Sequence, residues 1–329
     1  MIALLRVALT IICAALVLGA ALFSHRTAWA GSCCGGSGGT TLVMPKYFQD
    51  LIDMSFDTEL YNGFWNQNGK YTLDPPGSDL RQYRLNLGYA HRFAKLWQAS
   101  VSVAYVWNSN QYSGLTGDTD GPGDTMLNVW YEALDDISAW RIRNLKDLTP
   151  SIVIGPSLLV PTGISPYDNV HSSFDVTGRG FYRLDGNVIV TKTLHPWSAS
   201  LTLAYGTYLE RSVNEEYGRY VEPYHKKLGN RGSACLSASY IFYPSSAGDT
   251  LTATASLTQI READATINGA RNPDSGFRKD SVGATLAYSS TDHDWSARFV
   301  WNHAIREDGW GENFPCTDIY TVGVSYGFR

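Results

Sequence analysis

Charged and amide side chains occupy every second position in several stretches of this chain, and aromatic or aliphatic side chains stand between them. Residues 80–93 show the pattern, with Arg84, Asn86 and Arg92 on one face. Successive side chains of a β-strand point to opposite faces, so each stretch has one polar and one apolar face. In a barrel closed around water, the polar face would line a solute path. The predicted lining residues are Arg84, Asn86, Arg92, Asn128, Trp130, Arg183, Asp185, Asn187, Arg298 and Asn302.

The chemistry of these residues allows two interpretations. Four of the ten are arginines, and a cationic interior would favour anionic solutes such as carboxylates because it focuses a positive field. Alternatively, the same groups bond to one another or to a plug and merely fill the interior. Alternation fixes the face on which a residue lies and leaves its depth open, so both interpretations remain at this point.

Other arrangements that could do chemistry are weaker. Asp118, Asp120 and Asp124 offer oxygen donors of the kind that Ca²⁺ takes, but the distal glutamate of an EF-hand loop is absent, which favours a solvated turn. The histidines are scattered, and the cluster around His293 falls in a predicted turn on the periplasmic side. No Cys-x-x-Cys-His haem motif occurs either. We expect no catalytic residue, no metal site, no cofactor and no enzymatic activity.

The N-terminus has the features of a secretory signal. Arg6 precedes the uncharged apolar run of residues 7–23, and Ala28-Trp29-Ala30 is a small-x-small cleavage site. We predict a signal peptide over residues 1–30; the alternative is an uncleaved anchor, for which the run is short. Removing residues 1–30 takes away two arginines and no acid, which changes the net charge from −5 to −7. That charge does not suggest a nucleic-acid partner.

Four cysteines follow the predicted cleavage site, and export would place them in an oxidising compartment. Cys33 and Cys34 lie in the Gly/Ser-rich segment 31–49, which we predict to be flexible. The segment is either a periplasmic tail or a plug that enters the barrel, and a further alternative is that its cysteine pair touches a metal ion. Acylation of Cys33 is disfavoured because the expected Leu is missing before it. A disulfide between Cys235 and Cys316 is conceivable, since both fall toward the extracellular side.

Residues 50–329 read as one all-β domain. The first strand candidate, residues 50–61, has the weakest alternation, whereas residues 318–329 have the clearest. About twelve such segments occur, and their connections are alternately long and short. This predicts a transmembrane antiparallel up-and-down β-barrel with short periplasmic turns and long extracellular loops. The alternative, a soluble barrel, would have its faces exchanged. A terminal aromatic strand of residues 320–328 would close the barrel by pairing with the first strand.

Several short motifs resemble a family of outer-membrane proteins named for the meta pathway of phenol degradation, grouped with long-chain fatty-acid transporters. The motifs are Gly121-Pro122-Gly123-Asp124-Thr125, residues 150–159 leading into Pro161-Thr162-Gly163, Thr177-Gly178, and the ending at Tyr326 to Phe328. The resemblance implies passage of small hydrophobic or aromatic compounds. Two departures from the fatty-acid transporters are the smaller strand count and the lack of an Asn-Pro-Phe-like plug motif.

These observations predict an outer-membrane channel for passive uptake of a small organic solute, aromatic or anionic, in a Gram-negative bacterium. The expected partners are outer-membrane lipid, the solute, and the barrel-assembly machinery, which would read the C-terminal strand. The alternative is a barrel without transport that serves as an anchor or scaffold for periplasmic or surface partners. The sequence does not distinguish oligomeric states.

Overall fold

The computed structural model describes residues 42–66, 68–112, 115–170, 175–244, 248–311 and 314–329. The predicted signal peptide and Cys33 and Cys34 lie outside these ranges. The described strands are β1 (Asp50–Trp65), β2 (Tyr71–Thr72), β3 (Asp79–Ala94), β4 (Trp97–Tyr112), β5 (Leu115–Pro122), β6 (Thr125–Leu134), β7 (Ser151–Val160), β8 (Arg183–Leu194), β9 (Trp197–Tyr208), β10 (Arg211–Glu216), β11 (Arg219–Lys227), β12 (Arg231–Phe242), β13 (Thr250–Glu262), β14 (Thr266–Ile267), β15 (Ala270–Arg271), β16 (Phe277–Ser289), β17 (Trp295–Ala304) and β18 (Phe314–Phe328).

Twelve of the described strands close into an antiparallel barrel, as the sequence predicts. Each of them pairs with its sequence neighbour around the wall, in the order β1, β3, β4, β6, β7, β8, β9, β12, β13, β16, β17 and β18. The last strand then pairs with the first, with Asp50 opposite Phe328 and Thr58 opposite Tyr320. This pairing gives the terminal strand a partner on each side, so the barrel has no free edge.

The exterior of the barrel is an apolar band that ends in aromatic rings. Outward side chains of β1 and β18, such as Phe56, Val322 and Val324, are exposed to 44%, 60% and 45%. Rings cluster near both strand ends: Trp97 lies 4.8 Å from Tyr131 at the end with the short turns, and Tyr105 lies 4.9 Å from Trp107 toward the other end, measured between ring centroids. An apolar belt between two aromatic girdles is typical of a barrel surface that faces lipid. Among the described residues, no helix is long and apolar enough to cross a membrane.

The long loops contain structure that the sequence analysis assigned to turns. β5 pairs with residues 105–112 of β4, so residues 115–122 add a strand to the sheet where a solvated turn was expected. Strands β10, β11, β14 and β15 form a separate four-stranded sheet beyond the barrel rim. There, burial and the hydrogen bond that Tyr224 donates to Glu216 raise the pKa of Tyr224. Their short polar strands lack the long apolar face by which the barrel strands were predicted.

Two regions of the barrel wall differ in how they face the interior. The inward residues of β1, β3, β4 and β6 are almost all buried, and we call this side the filled wall. The inward residues of β9, β12 and β13 between their ends are only half-buried, and we call this side the open wall. The open wall carries mainly hydroxyl side chains, namely Ser198, Ser200, Thr202, Ser233, Ser237, Ser239, Thr252, Thr254, Ser256 and Thr258. Solvent can therefore enter the barrel along the open wall.

Candidate functional site

Three motifs that are far apart in sequence meet at the extracellular end of the barrel. The Asp124 carboxylate accepts hydrogen bonds from the backbone N–H of Gly163 at 3.2 Å and of Arg179 at 3.0 Å. The Thr177 hydroxyl donates to the carbonyl of Pro122 at 2.6 Å. A Cβ atom on Gly178 would lie 2.3 Å from Asp124 Oδ1 and 2.8 Å from the Cα of Gly163. Both glycines are therefore required for this close approach, which we call the glycine junction.

The glycine junction directs the connection between β7 and β8 into the mouth of the barrel. The carbonyl of Val176 accepts a hydrogen bond at 3.2 Å from Asn108, an inward residue of β4. The guanidinium of Arg179 reaches the opposite side, where it binds both carboxylate oxygens of Glu262 on β13 at 2.5 and 2.7 Å. The hydroxyl of Tyr208 also lies within hydrogen-bond distance of Arg179 and Glu262. Residues 175–179 thus cross the upper lumen.

A cavity of about 220 Å³ lies inside the barrel and is lined by residues 177–179 of this connection. Four arginines line it, namely Arg84, Arg179, Arg183 and Arg231, and we call it the arginine cavity. Apolar side chains complete the lining, namely Val106, Met126, Leu159 and Ile260. Two carboxylates, Asp124 and Asp185, also line it, so the cavity combines charged groups of both signs with an apolar surface.

Three of the four arginines have a carboxylate partner within the protein. Arg84 Nη1 lies 2.8 Å from Glu59 Oε2, although without the angle of a hydrogen bond. The Nε atom of Arg183 donates to Asp185 at 2.7 Å. Arg179 binds Glu262, as described above. Arg231 differs, because no hydrogen bond or ion pair joins its guanidinium to another described residue, although its guanidinium carbon lies 5.6 Å from the centre of the Phe277 ring.

The lower lumen is occupied by residues 42–48, which we call the inner segment. The Gln98 side chain bonds both the N–H and the carbonyl of Met44, at 2.7 and 3.1 Å. Ser100 and the Trp130 indole donate to the carbonyl of Leu42 at 3.0 and 3.2 Å. Of the two alternatives for residues 31–49, these contacts favour a segment that enters the barrel, at least for the part of it that the structure describes.

Arg92 fixes the end of the inner segment. Its guanidinium donates to Glu132 at 2.7 Å and to the carbonyls of Phe48 and Pro45 at 3.2 and 3.3 Å. Glu132 also accepts from Gln98 at 2.8 Å. Arg92 is thus engaged in holding the inner segment and is not available to a solute in this conformation. A second cavity of about 410 Å³ remains beside the inner segment, next to β16, β17 and β18.

The structure places all ten predicted lining residues on the inward face, and internal ion pairs favour the second of the two interpretations, in which these groups bond to one another. Arg298 binds both oxygens of Asp53 at 2.6 and 2.9 Å, and Arg84 lies 3.4 Å from Asp57. The sequence analysis missed the inward acids of β1, Asp53, Asp57 and Glu59, which neutralise these arginines. Their alternation with apolar residues is present in the sequence, but this strand candidate was the weakest of the set.

Of the predicted amide residues and Trp130, Asn86, Asn128 and Trp130 lie on the filled wall, whereas Asn187 and Asn302 lie on β8 and β17. Asn86 donates to Asp57 at 2.9 Å, and Asn128 donates to Ser100 at 3.1 Å. Asn187 donates to Ser157 at 2.9 Å. Asn302 lies over Gly283, where an added Cβ would come within 2.4 Å of its Oδ1 atom. Most of these amides therefore form hydrogen bonds with neighbouring polar side chains of the interior.

The cysteines and His195 lie in different parts of the barrel. Cys235 and Cys316 are both free, so the disulfide considered between them does not form. Cys235 lines the arginine cavity, and the Cys316 thiol donates to the carbonyl of Ala304. Within the described ranges, no group of three potential ligands could hold a metal ion. His195 contacts the Ser138 hydroxyl at 2.7 Å and the Tyr243 hydroxyl at 3.0 Å. This exposed group lies at the periplasmic strand ends, away from the lumen.

No protein-family description and no curated protein matches the sequence. Among solved structures, the fold is similar to an outer membrane channel from Pseudomonas putida F1, with a TM-score of 0.63 and 15% identity over 87% of this chain and 100% of that chain. It also resembles the β domain of the Bordetella autotransporter BrkA, with a TM-score of 0.48 and 12% identity over 85% of this chain and 100% of that chain.

A third similar structure is the Pseudomonas putida toluene transporter TodX, with a TM-score of 0.35 and 9% identity over 84% of this chain and 89% of that chain. At these identities the similarity to the first structure supports the barrel fold alone. The resemblance to the phenol meta-pathway family remains a prediction from the sequence motifs.

Proposed function

We propose that this chain is a channel in the outer membrane of a Gram-negative bacterium, through which a small organic solute diffuses without energy input. The observation that carries this proposal is the open wall, where inward hydroxyl side chains are in contact with solvent inside a closed barrel. Hydroxyl groups can exchange hydrogen bonds with a passing polar solute, and their small size leaves space. The apolar exterior with its aromatic girdles supports a position in a lipid bilayer.

The proposed route to the membrane uses both ends of the chain. Residues 1–30 would direct export and be removed, and the aromatic face of β18 would be recognised by the barrel-assembly machinery. Outer-membrane lipid would then cover the apolar band. The proposed role is passive and needs neither a cofactor nor a catalytic residue.

A second candidate is a barrel without transport that anchors or scaffolds periplasmic or surface partners. The filled wall favours it, because the arginines predicted to meet a solute bind internal carboxylates instead, and the inner segment occupies the lower lumen. A scaffold needs a stable barrel and has no use for a continuous water path. The two candidates therefore differ in whether the open wall conducts.

The first test is single-channel conductance in planar bilayers. Refolded residues 31–329 are compared with a variant that lacks residues 31–48. We expect steady conductance that increases when the inner segment is absent, because the segment reduces the open cross-section of the lower lumen. Silence from both proteins, with folding verified by heat-dependent gel mobility, would contradict the channel and favour the scaffold.

The second test locates the conducting side. Ser237 lies at the centre of β12 on the open wall, and Ala238 beside it faces lipid. We expect Ser237→Trp to lower the conductance at least about twofold, because an indole occupies much of the cross-section in an interior of this size. Ala238→Trp adds the same group to the lipid face and should leave conductance unchanged. Equal effects of the two substitutions would contradict a path along the open wall.

A further inference from the structure

Among the four arginines that line the arginine cavity, Arg231 is the one to which no carboxylate is bound. It is 9% exposed, and among the described residues no carboxylate binds it. Its electrostatic neighbours include Arg183 and Arg179, which carry the same charge, and Glu262. Glu262 is the one carboxylate in this set, but Arg179 already binds both of its oxygens. A buried charge without a partner is unfavourable, so an anion in the cavity would stabilise it.

The geometry of a guanidinium favours one kind of anion. Its planar fork of N–H donors matches the two oxygens of a carboxylate, and charge-assisted hydrogen bonds of this kind are the stronger ones. The apolar lining, namely Val106, Met126, Leu159 and Ile260, would contact a nonpolar body attached to that carboxylate. A volume of about 220 Å³ is below the range that drug-sized ligands fill, which limits the ligand to a small molecule.

The position of Arg231 connects the cavity to the open wall. Inward residues of β12 follow Arg231 toward the periplasmic end in the order Ser233, Cys235, Ser237 and Ser239. The first two of these also line the arginine cavity. A ligand released from Arg231 would therefore move directly onto the hydroxyl side chains of the open wall.

We propose that the arginine cavity is a binding site for a small organic carboxylate with a nonpolar body, and that Arg231 binds its carboxylate group. The inference rests on the proposed channel function, because it names the class of solute that enters the path. Arg84, Arg179 and Arg183 keep their internal carboxylate partners, so Arg231 is the arginine left to bind the ligand. Arg231 would favour negatively charged solutes, and the volume of the cavity would exclude large ones.

Cys235 provides a native reporter of this site. The refolded chain in detergent is treated with a small neutral thiol reagent, with and without benzoate, and peptide mass spectrometry measures the rate of modification at Cys235. We expect benzoate to slow this reaction in a saturable manner, whereas the uncharged analogue benzyl alcohol does not at the same concentrations. Equal protection by benzyl alcohol or by inorganic phosphate would overturn the assignment of an organic carboxylate.

Substitution at Arg231 tests its role directly. Arg231→Gln should weaken protection by benzoate about ten- to hundred-fold, since it removes a charge-assisted interaction. Arg231→Lys keeps the charge and should retain protection within several-fold, which shows that the site is folded. Arg219→Gln, an exposed arginine of β11, is the matched control and should behave as the unmodified chain. Unchanged benzoate affinity in a folded Arg231→Gln protein would overturn the proposal.

The binding test is independent of conductance. Protection by benzoate in a barrel that does not conduct would overturn the channel and keep the binding site. Conductance without protection would keep the channel and overturn the carboxylate site. The failure of one proposal is thus distinguishable from the failure of the other.

Discussion

The filled wall and the open wall have the same backbone architecture and opposite interiors. Both consist of antiparallel strands whose side chains alternate between lipid and lumen, and both belong to one closed barrel. On the filled wall the inward residues include many large side chains, such as Arg84, Gln98 and Trp130. On the open wall they are small hydroxyl residues. Since strand number sets the diameter, side-chain size decides which part of the interior is occupied.

The filled wall and the open wall also differ in their electrostatic environment. Charges on the filled wall are buried and bind one another, so each removal leaves a partner without compensation. The open wall carries few charges, and solvent can replace a lost hydrogen bond. Substitutions should therefore cost much more stability on the filled wall than on the open wall.

The largest expected effect is at Arg84. Arg84→Met leaves Asp57 and Glu59 buried without their cation, and we expect the free energy of unfolding in lipid vesicles to fall by about 3–5 kcal/mol. Urea titration followed by tryptophan fluorescence measures it. The double variant Arg84→Met/Glu59→Gln removes one of the stranded charges and should recover part of the loss. A decrease of less than about 1 kcal/mol, the range of exposed ion pairs, would contradict a filled wall held by buried charges.

The sequence predicted the strands and their inward faces because a two-residue period records which side of a strand meets lipid. It predicted Arg84, Arg183 and Arg298 for this reason. The same two-residue period predicts inward positions for Arg231, at the start of β12, and for Glu262, at the end of β13, because both continue the alternation of their strands. These two positions were missed because polar strand ends resemble loops.

Other parts of the site leave no periodic signal. Arg179 lies in a connection, and its inward position depends on the glycine junction, which brings together residues from three separate segments. The inner segment is held through its backbone by Gln98, Ser100 and Trp130, so its own side chains do not indicate where it lies. Contacts of this kind depend on the closed fold and cannot be inferred from local pattern.

The next effect is expected at the glycine junction, which places Arg179 between the two walls. Gly178→Ala would bring a Cβ atom to 2.3 Å from Asp124 Oδ1, so the connection must move. We expect a loss of about 1–3 kcal/mol, typical of overpacking, and faster tryptic cleavage after Arg179. Gly186→Ala on the lipid face is the control, because its nearest neighbouring atom would be 4.0 Å away. Equal cleavage rates in the two variants would show that the junction does not hold the connection.

The smallest effect compares one substitution on the two walls. Ser100 on β4 is buried and donates to the carbonyl of Leu42 at 3.0 Å, whereas Ser239 on β12 is half-buried and lies 2.8 Å from the Thr254 hydroxyl. Ser100→Ala should lower the free energy of unfolding by about 1 kcal/mol, since the Leu42 carbonyl loses a donor that water cannot replace. Ser239→Ala should change it by less than about 0.5 kcal/mol, as at solvated positions. Equal costs in urea titrations would mean that solvent does not reach the open wall, and the path proposed along it would have to be abandoned.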